Sequence, residues 1–204
     1  METALRAGIA IYNAGDYHEA HDAWEDRWLD LPEGTDDERF LHGLIQFTAA
    51  VHHATERNWA GATGLADSAS DYLDGLPGEY RGVDVAGVRE YLAALDADPE
   101  WIERAPPLDL THEGEAITPD DLAFAECAAA AAVYAEDGPY DEAVIEQAIE
   151  YARDDLDDGE ETSPFVTFVM DFARDRTHQG IIYQRLSERI DRRQRRESDV
   201  DGLF

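Results

Sequence analysis

Asp16 to Trp28 reads D-Y-H-E-A-H-D-A-W-E-D-R-W, and Leu41 to His53 reads L-H-G-L-I-Q-F-T-A-A-V-H-H. At about 100° per residue, Tyr17, Ala20, Trp24, Trp28 and Leu31 fall on one arc of a helix, which makes that arc the core face. Gly15 supplies a left-handed stop for the preceding segment, and Asp16 caps the new helix with Glu19 three residues on. Leu31-Pro32-Glu33-Gly34 ends it near Leu29, and Thr35 or Asp36 opens a second helix that runs through Thr55. Two helices so joined form a hairpin, and their polar stripes place a pocket between them.

Outward from this hairpin the same signals recur. Thr3 to Ala14 reads as a helix, as do Trp59 to Leu73 and Val85 to Leu95, the last capped by Asp84. Gly61 and Gly64 mark close helix contact. Asp98 to Pro107 is an irregular connector. Thr118-Pro119 opens a helix to about Tyr134, and Tyr140 to Leu156 forms another. Ser163-Pro164 starts a final helix that continues to about Arg195, before a frayed tail from Glu197 to Phe204. No run alternates with the two-residue period of a half-buried strand, so the expected fold is all-α, a compact bundle of stacked antiparallel helical hairpins. A helical domain over residues 1–112 is followed by a second over 113–204, packed on the first.

The chain has 204 residues, with 16 arginines and no lysine against 47 acidic residues, for a net charge of -31. Such a balance excludes a nucleic-acid binder, which needs a basic face to displace phosphate counterions. It is the composition expected of adaptation to concentrated salt, where screening relieves self-repulsion. The one cysteine, Cys127, packs as a small hydrophobe in an alanine run, and no stretch approaches the roughly 20 apolar residues of a membrane span. A cytoplasmic protein is the expectation. Homo-oligomerisation stays open.

Chemistry concentrates in the hairpin. His21 and Glu25 stand one turn apart, as do His18 and Asp22, with Asp22 pointing further out. His42, Gln46, Ala49 and His53 make a stripe on the other helix. If the two face each other, three readings compete. The set is a self-satisfied polar network, a metal-free ligand pocket, or a divalent zinc, iron or manganese site held by His21, Glu25 and His53. In the last case His18 or His42 moves protons. The zinc pattern H-E-x-x-H is absent. The leading function is a ligand-binding or protein-interaction domain whose pocket comprises His18, His21, Glu25, Trp28, His42, Gln46 and His53, and the alternative is a metal-dependent hydrolase-like enzyme. The partner, small molecule or protein, is not specified. Trp24, Trp28 and Trp59 read as core, His52 as a satisfied core histidine, and His112 and His178 as isolated. Arg185 to Arg196 reads as a helix end complementing its own dipole, or as a docking helix for an acidic partner or an anion. Phosphate loops and nucleophile elbows are missing from the sequence.

Three turns echo one another: Gly15-Asp16-Tyr17-x-x-Ala20, Arg57-Asn58-Trp59-x-x-Ala62 and Gly138-Pro139-Tyr140-x-x-Ala143. This resembles the tetratricopeptide pattern, whose usual order Gly8, Tyr17, Ala20, Trp24 and Pro32 match, although the spacing of the echoes is not constant. The run from Gly15 to Trp28, the L-H-G-L-I-Q segment from Leu41 and the N-W-A-G-A turn from Asn58 resemble an uncharacterised helical family, domain of unknown function 309. Tyr80-Arg81-Gly82-Val83-Asp84-Val85 also resembles it, extending the likeness over about residues 8–112. The resemblance implies an all-α fold and points to His21, Glu25, Trp28, Gly43, Gln46, His53 and Gly61, with no substrate attached. Asp22 stands where the family has Glu, His42 where it has Gln, and Arg57 where it has Gly.

Overall fold

The computed structural model describes residues 1–201, which divide into two units, Met1–Leu122 and the part from Ala123 onward. The fold is all-α. In the first unit α1 (Glu2–Asn13), α2 (Asp22–Leu29), α3 (Asp36–Thr55), α4 (Trp59–Leu73) and α5 (Val85–Ala97) follow one another. Short polar side chains set the starts of α3, α4 and α5, because each can accept from an otherwise unpaired N–H of the first turn. Thr35 Oγ1 accepts from Glu38 N at 3.3 Å, Asn58 Oδ1 from Gly61 N at 3.2 Å and Asp84 Oδ1 from Gly87 N at 2.9 Å.

The α3–α4 hairpin is the frame of this unit. Phe40, Leu44, Phe47 and Val51 of α3 are buried at helical spacing, and α4 answers with Ala62, Ala66, Ala69 and Leu73. Small residues let the backbones approach. A Cβ on Gly43 would lie 2.5 Å from Leu73 Cδ2. The connecting turn passes through Arg57 at φ 58°, a left-handed conformation that favours glycine. On α1, Gly8 opens a berth for the buried indole of Trp24: a Cβ there would lie 2.2 Å from Trp24 Nε1.

Three expectations for this unit change. The segment before α2 is a turn followed by a 3-10 helix, Glu19–His21, so the α-helix begins only at Asp22. Gly64 faces open space and marks no contact, whereas Gly61 does, against Asn58 and His53. Four two-residue strands form an antiparallel sheet in the order β1 (Glu79–Tyr80), β2 (Val83–Asp84), β3 (Thr111–His112) and β4 (Glu115–Ala116). Strands of two residues are too short to show alternation. Their turns are readable, since Arg81-Gly82 and Glu113-Gly114 each place two consecutive residues at positive φ, the signature of a tight hairpin.

The sheet is tied to the helices by side chains. Tyr80 Oη and Arg81 donate to the Asp37 carboxylate at 2.6–2.9 Å, clamping the first hairpin on the start of α3 and holding the Asp37 carboxyl below its usual range. Asn13 at the end of α1 donates from Nδ2 to the carbonyls of Leu110 and Ile117, both at 2.8 Å. Its Oδ1 accepts from Leu110 N at 2.9 Å.

The second unit holds α6 (Phe124–Glu136), α7 (Glu142–Asp157), α8 (Pro164–Arg174) and α9 (Gln179–Asp201). Phe165, Val166, Val169, Phe172 and Ala173 bury one side of α8, and Cys127 is buried on α6 as expected. Two expected helices prove to be broken. Thr118 and Asp121 cap only a 3-10 turn, after which Leu122 is extended and the helix restarts at Phe124 with Glu126 accepting from Ala123 N. The final helix stops at Arg174, because Asp175 accepts from both His178 N and His178 Nδ1 and starts a new turn. Gln179 then donates to the Phe172 carbonyl at 2.8 Å. α9 runs to Asp201, past Glu197 where the tail was expected to fray, and 202–204 lie outside the described residues. No helix among the described residues is long and apolar enough to cross a membrane.

Candidate functional site

The 3-10 start of the α2 segment decides how its polar groups are presented. His21 lies at the end of that turn, and its Nδ1 meets the carbonyl oxygen of His18 in a short hydrogen bond. A carbonyl only accepts, so Nδ1 carries the proton, and Nε2 is the atom turned toward Asp22 Oδ1 at 3.0 Å. Glu25 sits one turn on. One ligand atom from each of His21, Asp22 and Glu25 lies within 4.8 Å of the others. Asp22, expected to point further out, therefore completes this group.

His53 faces elsewhere. Its Nδ1 lies 2.8 Å from Asn58 Nδ2, within the α3–α4 turn. His52, expected on the apolar side, is half-buried with its ring 5.0 Å from that of His18 and 5.8 Å from that of His53. With His18 and His21 also 5.0 Å apart, four imidazoles run in ring contact from the start of the α2 segment to the end of α3. Burial holds His52 below the usual histidine range, and the charges of His18 and His53 act in the same direction.

Further along the hairpin, Trp28 and His42 meet with ring centroids 4.4 Å apart, and His42 stacks on Tyr72 of α4 at 3.7 Å and 29°. Glu38 organises this group. Its Oε1 accepts from Trp28 Nε1 at 2.9 Å and lies 3.6 Å from His42 Nδ1, while Oε2 accepts from Gly34 N at 3.2 Å. Burial nonetheless holds the His42 imidazole below its usual range, against the pull of Glu38. These side chains wall a cavity of about 610 Å³, completed by Leu29, Leu31, Glu33, Arg39 and Asp71.

The seven expected pocket residues thus separate into neighbouring clusters. Trp28 and His42 line the cavity. His21 and Glu25 meet beside Asp22, His18 joins the histidine row, His53 turns to Asn58, and Gln46 is half-buried on α3. Sequence reasoning missed Glu38, although Thr35-x-x-Glu38 is a capping pattern that could have drawn attention to it. Tyr72 carried no local signal, because its place depends on how α3 and α4 pair. Of the other expected core residues, Trp24 is fully buried, Trp28 and Trp59 half-buried. His112 is buried with Nδ1 3.3 Å from Arg6 Nη1, and His178 pairs with Asp175.

The arginine-rich segment sits on α9. Arg193 is its anchor, bonded to Asp155 at 2.6 Å and Glu197 at 3.1 Å with its guanidinium 4.1 Å above the Tyr151 ring. Arg192 pairs with Glu188, and Arg189 lies over Phe168. Much of this charge is therefore spent inside the unit.

Residues 5–65 match the model of a family described as a domain of unknown function, DUF309. No curated protein matches the chain. The matched segment contains His18, His21, Glu25, Trp28, His42, Gln46 and His53, and it ends before Tyr72 and before the Tyr80–Val85 stretch that also resembles the family.

Proposed function

We propose that this protein is a small-ligand-binding domain whose pocket is the cavity beside Trp28, His42 and Tyr72. The observation that carries this reading is the Glu38 arrangement. One carboxylate fixes an indole and a loop N–H and faces an imidazole, so the aromatic wall of the cavity is pre-ordered. A volume near 610 Å³ falls within the range of small-molecule sites. The test is a fragment screen followed by NMR at the Trp28 indole N–H and the His42 ring. Saturable shifts at both that vanish in Tyr72→Leu support the pocket. Shifts confined to other helices, or capture only of a protein partner on another face, overturn it.

A second reading rests on His21. With Nδ1 protonated, Nε2 meets the Asp22 carboxylate either as the N–H of an imidazolium or with a cation shared between them. Two ligands bound at about 2 Å to one near-tetrahedral ion stand roughly 3 Å apart, and the His21–Asp22 separation is 3.0 Å. Asp22 and Glu25 with His21 Nε2 would hold a divalent transition metal, the His18 carbonyl fixing the imidazole as an outer partner. This set would suit a metal-dependent hydrolase-like site, with His18, its ring 5.0 Å from that of His21, as a proton carrier. Elemental analysis of protein purified without chelator or affinity tag decides it. Near-stoichiometric metal that is lost from folded His21→Ala sustains the reading, and none in the parent protein removes it.

A further inference from the structure

Resting on the ligand-pocket reading, we infer that the ligand of the Trp28–His42–Tyr72 cavity is an organic cation, an ammonium or guanidinium group carried on a small apolar body. The aromatic faces come first. Trp28 and Tyr72 are in contact with His42 at 4.4 and 3.7 Å, and the quadrupole of such rings attracts a positive charge laid against them. A desolvated cation is also what an acidic lining selects. Glu33, Glu38 and Asp71 line the cavity against one arginine, Arg39, and the imidazole of His42.

The engagement of those charges sharpens the choice. Glu38 is consumed by Trp28, Gly34 and His42. Arg39 donates to the Asp74 carbonyl in a short hydrogen bond and approaches Asp36 at 4.0 Å, and it carries the one arginine charge of a lining that holds three carboxylates. Glu33 and Asp71 are both exposed, and neither has a cationic partner among the described residues. An anion entering here would meet two uncompensated carboxylates.

The apolar body has its own partner. Leu29 lines the same cavity and is 65% exposed, one of two large hydrophobic residues so exposed among the described residues. A bare inorganic cation would leave it in water; an organic one covers it, and each buried methylene favours binding. Aromatic wall, unpaired carboxylates and an exposed leucine around one opening therefore fit one class of ligand.

The probe is choline, titrated at constant ionic strength into isotope-labelled protein and read at the Trp28 indole N–H and His42 ring. Its neutral carbon isostere and the matching carboxylate serve as comparisons. Choline should give saturable shifts, the isostere should bind about tenfold more weakly and the carboxylate not at all. The exposed double substitution Glu33→Gln with Asp71→Asn, which leaves the aromatic wall intact, should weaken choline about tenfold and leave the isostere unchanged. Equal binding of isostere or carboxylate overturns the cation assignment while keeping the pocket. Silence of every probe at Trp28 and His42, with the protein folded, overturns the cation assignment, while the pocket itself stands or falls by the fragment screen. Choline binding unaltered by the double substitution assigns the shifts to the general acidity of the surface and overturns the inference.

Discussion

Trp28 Nε1 and Glu38 Oε1 stand 2.9 Å apart, joining α2 to α3 across a ten-residue separation in the chain. Glu38 also accepts from Gly34 N, so one carboxylate fixes the loop between the two helices and the aromatic that walls the cavity. Glu38→Ala leaves an indole N–H and a backbone N–H without their acceptor, and should cost roughly 1–3 kcal/mol. Glu38→Gln keeps one acceptor and should cost less. Urea denaturation of both variants checks the order; equal stability of Glu38→Ala and the parent protein would show the bond to be incidental.

Two glycines on helices should respond in opposite directions to the same substitution. Gly8→Ala places a Cβ into the Trp24 indole, 2.2 Å from Nε1, and should destabilise by roughly 1–3 kcal/mol through forced repacking. Gly64→Ala meets nothing within 4 Å and should stabilise by roughly 0.5–1 kcal/mol through helix propensity. Thermal melts of the pair under one buffer give the answer.

The hydroxyls of Tyr12 and Tyr91 are buried and find no hydrogen-bond partner among the described residues. Tyr12→Phe and Tyr91→Phe should therefore be neutral or stabilising by up to about 1 kcal/mol. Burial pushes Tyr91 up to about 12 from 10.0 and raises Tyr12 as well, so the folded state resists losing these protons. The stabilisation is complete below pH 10 and disappears as pH rises toward 12. Alkaline unfolding followed by circular dichroism should begin in that window and move upward in the double phenylalanine variant.

At the acid side the sign reverses. His42 and His52 are held below 6.5 by burial, so the folded state prefers the neutral imidazoles. Their contribution is present above pH 6.5 and is lost as pH falls through the depressed folded values. Denaturant midpoints measured downward from pH 7 should fall, and His42→Gln should flatten that decline. An undiminished slope in the variant would place the acid sensitivity elsewhere.

A net charge of -31 repels itself wherever screening is weak. Lowering salt to about 0.1 M, where the screening length is about 10 Å, should lower the melting temperature markedly, and molar potassium chloride should restore it. A melting temperature independent of salt would count against adaptation to brine.

Much of the helical frame was legible because the starts of α3, α4 and α5 have a local cause: Thr35, Asn58 and Asp84 each accept from the N–H group three residues on, and such pairs are visible in sequence. What failed needed the third dimension or a finer local count. The helix from Ser163 breaks at Asp175 because that side chain turns to His178, a bond that competes with helix continuation only in place. The phase assigned to His18 and Asp22 assumed 3.6 residues per turn from Asp16. The 3-10 turn at Glu19–His21 has about 3.0 and rotates the preceding residues by roughly 60° relative to the α-helix. His21 and Glu25 keep their relation across that junction, while Asp22 changes neighbours. Trp28 and His42 were both named from their stripes, but Tyr72 joins them only through the pairing of α3 with α4.

Asn13 holds both hydrogen-bonding groups of Leu110 and the carbonyl of Ile117, reaching 97 and 104 residues ahead. The side-chain amide thus behaves as one more rung of backbone, with the end of α1 and the stretch around β3 as its two rails. The segment that matches the family model, 5–65, and the compact unit, Met1–Leu122, therefore do not coincide. A fragment cut at residue 65 would carry every histidine of the row yet strand Asn13, lose Tyr72 from the aromatic stack and release the Asp37 clamp. The histidine row thus lies within the matched segment, while side chains that brace α1 and α3 reach beyond it.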